Sequence, residues 1–357
     1  MKYRRLGGLA RAGRCAALCV GFGYGAAAPA QSSVTLYGLL DAGVQYKTHA
    51  NAAGDGALSS NNASTSYPSR FGLRGSEDLG GGYRAIFQLE NGFSLSNGAF
   101  AAANTPFNRI ALVGLTSDRF GSLTFGRQYG VQYDKTVLYE PTLFNNYSIF
   151  SLNMIPPATV RLDNSIKYAS PDIAGVNVEA MYGFGQQWPG NADAGRYWGV
   201  AAEYKLGEFW ARAGYEEVRG TVSGALDRSG AADRRASVVA RYAFDRFTVS
   251  GGVVAVRGSL QASPNGDIYW AAAQYMPTPA LKLIVEGGRY AFKEGGGRPT
   301  LVNASVLYWL SKRTTAYVTT GYAINGGGSD FGVNNYTAAP APGMTQLAAG
   351  TGLIVRF

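Results

Sequence analysis

From residue 32 to its end the chain alternates apolar and polar residues with a period of two. Val34, Leu36, Gly38, Leu40, Ala42, Val44 and Tyr46 form one phase; Thr35, Tyr37, Leu39, Asp41, Gly43 and Gln45 form the other. The same split recurs at Val176–Tyr182, Trp198–Tyr204, Phe209–Tyr215, Ala236–Phe244 and Leu281–Val285, and the charges in these stretches fall on the less apolar phase. Side chains of a strand alternate between two faces, so this predicts strands with one oily and one wet face. A charge at the midplane of a lipid-facing strand costs roughly 2–4 kcal/mol. The charges that break the pattern, Arg196, Glu217 and Arg289, sit at predicted strand ends, where the cost falls away.

The connections alternate as well. Short links read DLGG, TSDRF, SPDIAG, LGE, FDR, PTP and SKR. Between them lie longer polar segments near 48–66, 94–105, 130–162, 186–195, 218–232, 258–266, 293–298 and 326–344. Seven short turns and eight long loops separate sixteen strands. An even number of strands, with short turns on one side and long loops on the other, describes an outer-membrane barrel. The predicted fold is all-β: a transmembrane 16-stranded antiparallel β-barrel. A closed barrel has no unpaired edge, as lipid requires. At this strand number side chains cannot fill the interior, so an aqueous channel remains. No linker and no helical period interrupts residues 31–357, which read as one domain.

Residues 1–30 differ from the rest. Lys2, Arg4, Arg5, Arg11 and Arg14 precede a short apolar run ending in Ala28-Pro29-Ala30. This is expected to be a secretory signal peptide, cleaved after Ala30. Its five basic residues account for the fall of formal charge from +9 to +4 in the remainder, so the basic character does not point to nucleic acid. Both cysteines, Cys15 and Cys19, are in this segment, and the chain has one histidine, His49. No disulfide, metal site, cofactor or catalytic residue is expected in the mature chain. Gly is abundant at 49 of 357 residues, Tyr outnumbers Phe by 23 to 17, and charged residues are only 15%. A soluble domain usually carries about 25% charged residues. An outer-membrane hydrolase would need a Ser–His or Asp–His constellation, which a lone loop histidine does not supply. Adhesion through the external loops remains compatible with a channel. A soluble exported β-sandwich would have no outward apolar band.

Several segments together resemble the general porins of Gram-negative outer membranes, most of all the betaproteobacterial trimeric 16-stranded type. They are SSVTLYGLLDAGVQY at 32–46, SRFGLRGSEDLGGGYRAIFQLENGF at 69–93, NRIALVGLTSDRFGSLTFGRQ at 108–128, NSIKYASPDIAG at 164–175, SKRT at 311–314 and the terminal GLIVRF. The resemblance implies passive diffusion of small hydrophilic or anionic solutes and ions through a homotrimer embedded among outer-membrane lipids and lipopolysaccharide. It also implies that the third loop, 130–162, folds into the pore; a connection of that length in a compact domain needs such a reason. Phe357 matches the terminal signal read by the barrel-assembly machinery. Strands 106–117 and 121–128, apolar on both phases, suit a subunit contact.

A pore filters by charge rather than by making bonds. By the resemblance, Arg70, Arg109 and Arg161 occupy the positions of a basic constriction cluster in anion-selective members. Arg74, Arg84 and Arg127 would extend it as a ladder. Asp134, Glu140 and Asp163, in or beside loop 130–162, would oppose it. A guanidinium keeps its charge at any working pH. The predicted pore is anion-preferring; whether it is general or substrate-selective stays open. Tyr46, Phe93, Tyr182, Tyr215, Tyr242 and Tyr275 are candidates for aromatic girdles. Tyr147, Phe150 and Trp188 could stack sugars or simply pack their loops.

Overall fold

The structure is a computed structural model describing residues 33–60, 66–151, 160–260, 263–334 and 339–357. The expected signal peptide lies outside these residues, as does part of the third loop.

Sixteen strands close into an antiparallel barrel. They are β1 (Ser33–Lys47), β2 (Arg70–Gly80), β3 (Tyr83–Gly92), β4 (Ile110–Ser117), β5 (Gly121–Tyr129), β6 (Arg161–Ala169), β7 (Val176–Gly183) and β8 (Tyr197–Leu206). Then follow β9 (Phe209–Arg219), β10 (Ala232–Phe244), β11 (Phe247–Gly258), β12 (Gly266–Thr278), β13 (Leu281–Phe292), β14 (Thr300–Trp309), β15 (Thr314–Ile324) and β16 (Gln346–Arg356). Each pairs with its neighbours in sequence, and β1 pairs with β16 to close the ring. A short strand, Ala57–Ser60, adds to the outer end of β1. Among the described residues no helix is long and apolar enough to cross a membrane.

The two phases separate as the sequence predicts. Val44, Val238, Val285, Val306 and Val318 point outward and are exposed, whereas Arg212, Arg235, Glu286 and Thr319 point inward and are buried. Rings collect at both ends of the outward face. Tyr242, Phe244, Phe247 and Tyr275 follow one another at 6.0, 5.6 and 4.5 Å near the short turns. Trp198 lies 5.1 Å from Tyr215, and Tyr182 lies 5.1 Å from Phe184, near the long loops. Such belts suit the two lipid–water interfaces.

The seam between the first and last strands runs from Leu39 opposite Arg356 to Lys47 opposite Ala348. It is extended by Gly38 and Phe357, which exchange two backbone hydrogen bonds. Gly38 has a local reason to lack a side chain: a Cβ there would lie 2.3 Å from the Phe357 ring and 2.8 Å from the Arg70 carbonyl oxygen.

The third loop enters the lumen. It opens with one helical turn, Val131–Asp134, and 3₁₀ turns at Thr136–Leu138 and Ile149–Ser151. Tyr139 donates to Glu203, Gln132 to the Gly214 carbonyl, and the Ile149 N–H to Glu286. Tyr147 donates to Gln45, and Asn303 donates to the Tyr147 carbonyl. The loop therefore reaches across the lumen from β8 to β1. Tyr147 and Phe150 are buried in the apolar cluster that packs it, while Trp188 is exposed on another loop. The loop thus holds its aromatics for packing.

Candidate functional site

The loop leaves a cavity of about 680 Å³ against the barrel wall, lined by Arg70, Arg109, Arg161, Arg356, Tyr129 and Asp134 among others. Regular strand geometry sets part of this cluster. Leu39 of β1 stands opposite Arg70 on one side and Arg356 on the other. Antiparallel partners share a face, so both guanidiniums turn inward with Leu39.

Arg109 immediately precedes β4 and is buried. Its Nε donates to Glu90 Oε1 at 2.5 Å, and its Nη2 to the Tyr129 hydroxyl at 2.7 Å. The other Glu90 oxygen accepts from Tyr37 at 2.9 Å. Arg161 lies with its Cζ 5.0 Å from the centre of the Tyr129 ring, which itself stacks on Tyr133 at 4.9 Å. One tyrosine thus positions two arginines, one through its hydroxyl and one through its face. Among the described residues Arg70 donates a single long bond, 3.4 Å, to the Pro68 carbonyl. Arg70, Arg161 and Arg356 form no ion pair among the described residues.

The structure brings together Arg70, Arg109, Arg161 and Asp134, and sets the other expected residues elsewhere. Arg74 lies farther along β2, its Cζ 5.5 Å from the Tyr37 ring centre, outside the cavity lining. Arg84 is the second residue of β3, at a short turn, and pairs with Asp118 at 2.7 Å, outside the cavity lining. Arg127 stands opposite Ala111, on the phase that Leu123 and Phe125 of its own strand share with Val113 and Leu115, all four exposed. It pairs with the exposed Asp163 at 2.6 Å. The extra residue of the register shift falls in β6 beside Asp163, and neither Arg127 nor Asp163 is part of the cavity lining.

Asp134 lines the cavity but is held by Lys167 at 2.5 Å. Glu140 is fully buried and is not part of the cavity lining. Its oxygens accept from the Thr142 N–H and hydroxyl and from the Phe144 N–H. These bonds hold the loop tip, where Leu143 and Phe144 take φ values of 54° and 56°. Non-glycine residues seldom adopt that region without such support. Tyr67 donates to the Thr142 carbonyl beside this tip. Burial, then the nearby Glu140 charge, pushes the Tyr67 hydroxyl well above its ordinary range, so it remains a donor. Burial and Glu203 act in the same direction on Tyr139. Sequence reasoning missed Tyr37, Tyr129, Tyr133 and Arg356 as parts of this site. The alternation in GLIVRF marks Arg356 as opposite in phase to Val355 and Phe357, the signal by which it could have been found.

This architecture has counterparts. The model of a Gram-negative porin family matches residues 15–328. Outer membrane porin protein 32 of Delftia acidovorans is 30% identical over 359 residues, covering 92% of this chain and 95% of that one. An outer membrane porin of Bordetella pertussis is 37% identical over 175 residues, 45% of each chain. Among solved structures, an anion-selective porin from Comamonas acidovorans superposes with a TM-score of 0.79 at 25% identity, over 92% of this chain and all of that one. A trimer form of OmpT from Vibrio cholerae gives 0.67 at 18% identity over 91% of this chain and 99% of that one, a likeness of fold. With the family match spanning most of its length, the chain belongs to the Gram-negative porins and forms a passive channel in the outer membrane, without enzymatic chemistry.

Proposed function

We propose that the channel prefers anions and that its selectivity arises where the third loop faces the arginine-bearing wall. The observation that carries this reading is the lining itself: four arginines against one aspartate, with Asp134 already engaged by Lys167. Fixed positive charge beside a narrowed aqueous path raises the local concentration of anions and repels cations. The anion selectivity named for the similar Comamonas porin agrees with it. The cargo is small hydrophilic solutes and ions, with anionic solutes favoured.

The working unit in this reading is a homotrimer. Val113, Leu115, Leu123 and Phe125 provide an exposed apolar patch on β4 and β5 for a second copy. The remaining outward band contacts outer-membrane lipids and lipopolysaccharide. Residues 1–30 act as a cleaved leader, residues 31–357 form one domain, and Phe357 addresses the chain to the barrel-assembly machinery.

The test is a planar-bilayer recording of the detergent-purified, folded protein across a KCl gradient. The expected result is large conductance steps and an anion-favouring reversal potential. In 1 M salt that preference falls, because screening shortens from about 10 Å at 0.1 M to about 3 Å. Replacing both Arg70 and Arg161 by Gln should shift the potential toward zero while leaving conductance large. A cation-favouring potential in the unaltered protein would overturn the reading.

A further inference from the structure

Resting on the anion-preferring reading above, we infer that Arg356, the penultimate residue, is a selectivity-determining residue of the constriction, and that it outweighs Arg109.

The inference rests on which guanidiniums face the lumen with their charge unanswered. Arg356 and Arg70 flank Leu39 in one row across β16, β1 and β2. Two strand spacings separate them, about 10 Å between backbones. Both line the same cavity and both are half-buried. Arg356 Nη1 donates to the Thr315 hydroxyl at 3.1 Å, a neutral partner that orients the group and leaves its charge intact.

Asp41 lies within electrostatic reach of Arg356, and Glu140 acts alongside Arg356 on the same Tyr67; both carboxylates are committed elsewhere. Asp41 is buried and accepts from the Ser66 and Tyr67 N–H groups and from the Tyr317 hydroxyl. Glu140 is buried and serves the loop tip. Neither pairs with Arg356. Arg109 presents the opposite case: Glu90 cancels most of its charge at contact distance. Seen from a passing anion, the filter is Arg70, Arg161 and Arg356, with Arg109 holding Tyr129 in place beneath Arg161.

The experiment compares reversal potentials of trimeric, heat-modifiable protein for R356Q, R161Q, R70Q and R109Q in a KCl gradient. R356Q is expected to lower the anion-to-cation permeability ratio about as far as R161Q, and about two-fold further than R109Q. R356K should retain the ratio, since a general loss of packing at the seam would not be rescued by charge. Arg356 lies beside the terminal assembly residue, so T315D serves as a second variant. It sets a carboxylate against the guanidinium while leaving the last strand unaltered, and should lower the ratio as R356Q does. An unchanged ratio in R356Q, or in T315D where R356Q does not assemble, overturns the inference if R70Q and R161Q still shift it. If those two variants also leave it unchanged, the anion-filter reading itself fails.

Discussion

Two stretches of the inner wall carry arginines in the same strand phase and use them differently. Along β7 to β10 the loop lies on the wall. Arg212 is sealed there, donating to Glu179 at 2.6 Å and to the Val131 carbonyl at 2.6 Å. Lys135 of the loop adds a second cation to Glu179 at 2.9 Å. Around Arg70, Arg161 and Arg356 the loop leaves a cavity open, and these three keep their charge toward it. Residue type and phase are the same on both sides. The course of the loop decides which arginine is clamped and which is left facing the cavity.

The strongest way to break this contrast is to remove a clamp. Arg212→Ala should destabilise the fold by about 3–5 kcal/mol, because it strips a buried ion pair of one partner. It should also loosen the loop, read as a lower unfolding temperature on heat-modifiability gels and noisier open-channel current. Next comes the seam. Gly38→Ala forces a methyl against the Phe357 ring and the Arg70 carbonyl, a cost of about 1–3 kcal/mol typical of overpacking. The yield of folded trimer should fall, with selectivity unchanged in what folds.

Glu90→Gln sharpens the comparison. It keeps the shape of the side chain, releases the charge of Arg109, and should turn that arginine toward the filter class. The permeability ratio should rise about two-fold toward anions, with some loss of stability from the weakened buried bond. A ratio that stays constant would mean Arg109 is too deep to influence the path. The smallest effect belongs to Arg84→Gln. Its partner Asp118 is exposed, so the pair contributes no more than about 0.5 kcal/mol. Neither reversal potential nor melting should move measurably; a clear shift in selectivity would place the narrow zone nearer the short turns.

The barrel was legible in the sequence because its signal is repeated sixteen times. Alternation gives each strand its two faces, and turn length distinguishes the two ends. The convergence of Arg70, Arg109 and Arg161 was also legible, through their motifs. What escaped was set by contacts that periodicity does not encode. Arg127 follows the outward phase of Leu123 and Phe125, which a strand apolar on both phases does not reveal. Glu140 was drawn inside by the N–H groups of its own loop. The pairing of Arg109 with Glu90 depends on a residue just outside a strand meeting one inside the next. Arg356 was overlooked because the final strand reads first as an assembly signal, and its inward phase carries only one large charge.

The row Arg70–Leu39–Arg356 spans the junction between the first strand and the last. Its members come from opposite ends of the polypeptide and become neighbours only when the cylinder shuts. A partly inserted sheet would hold Arg70 without Arg356 and leave ions an incomplete field. In the proposed reading ion preference is thereby a property of the finished ring, and a single-channel reversal potential would double as a label-free report that one molecule has completed its biogenesis.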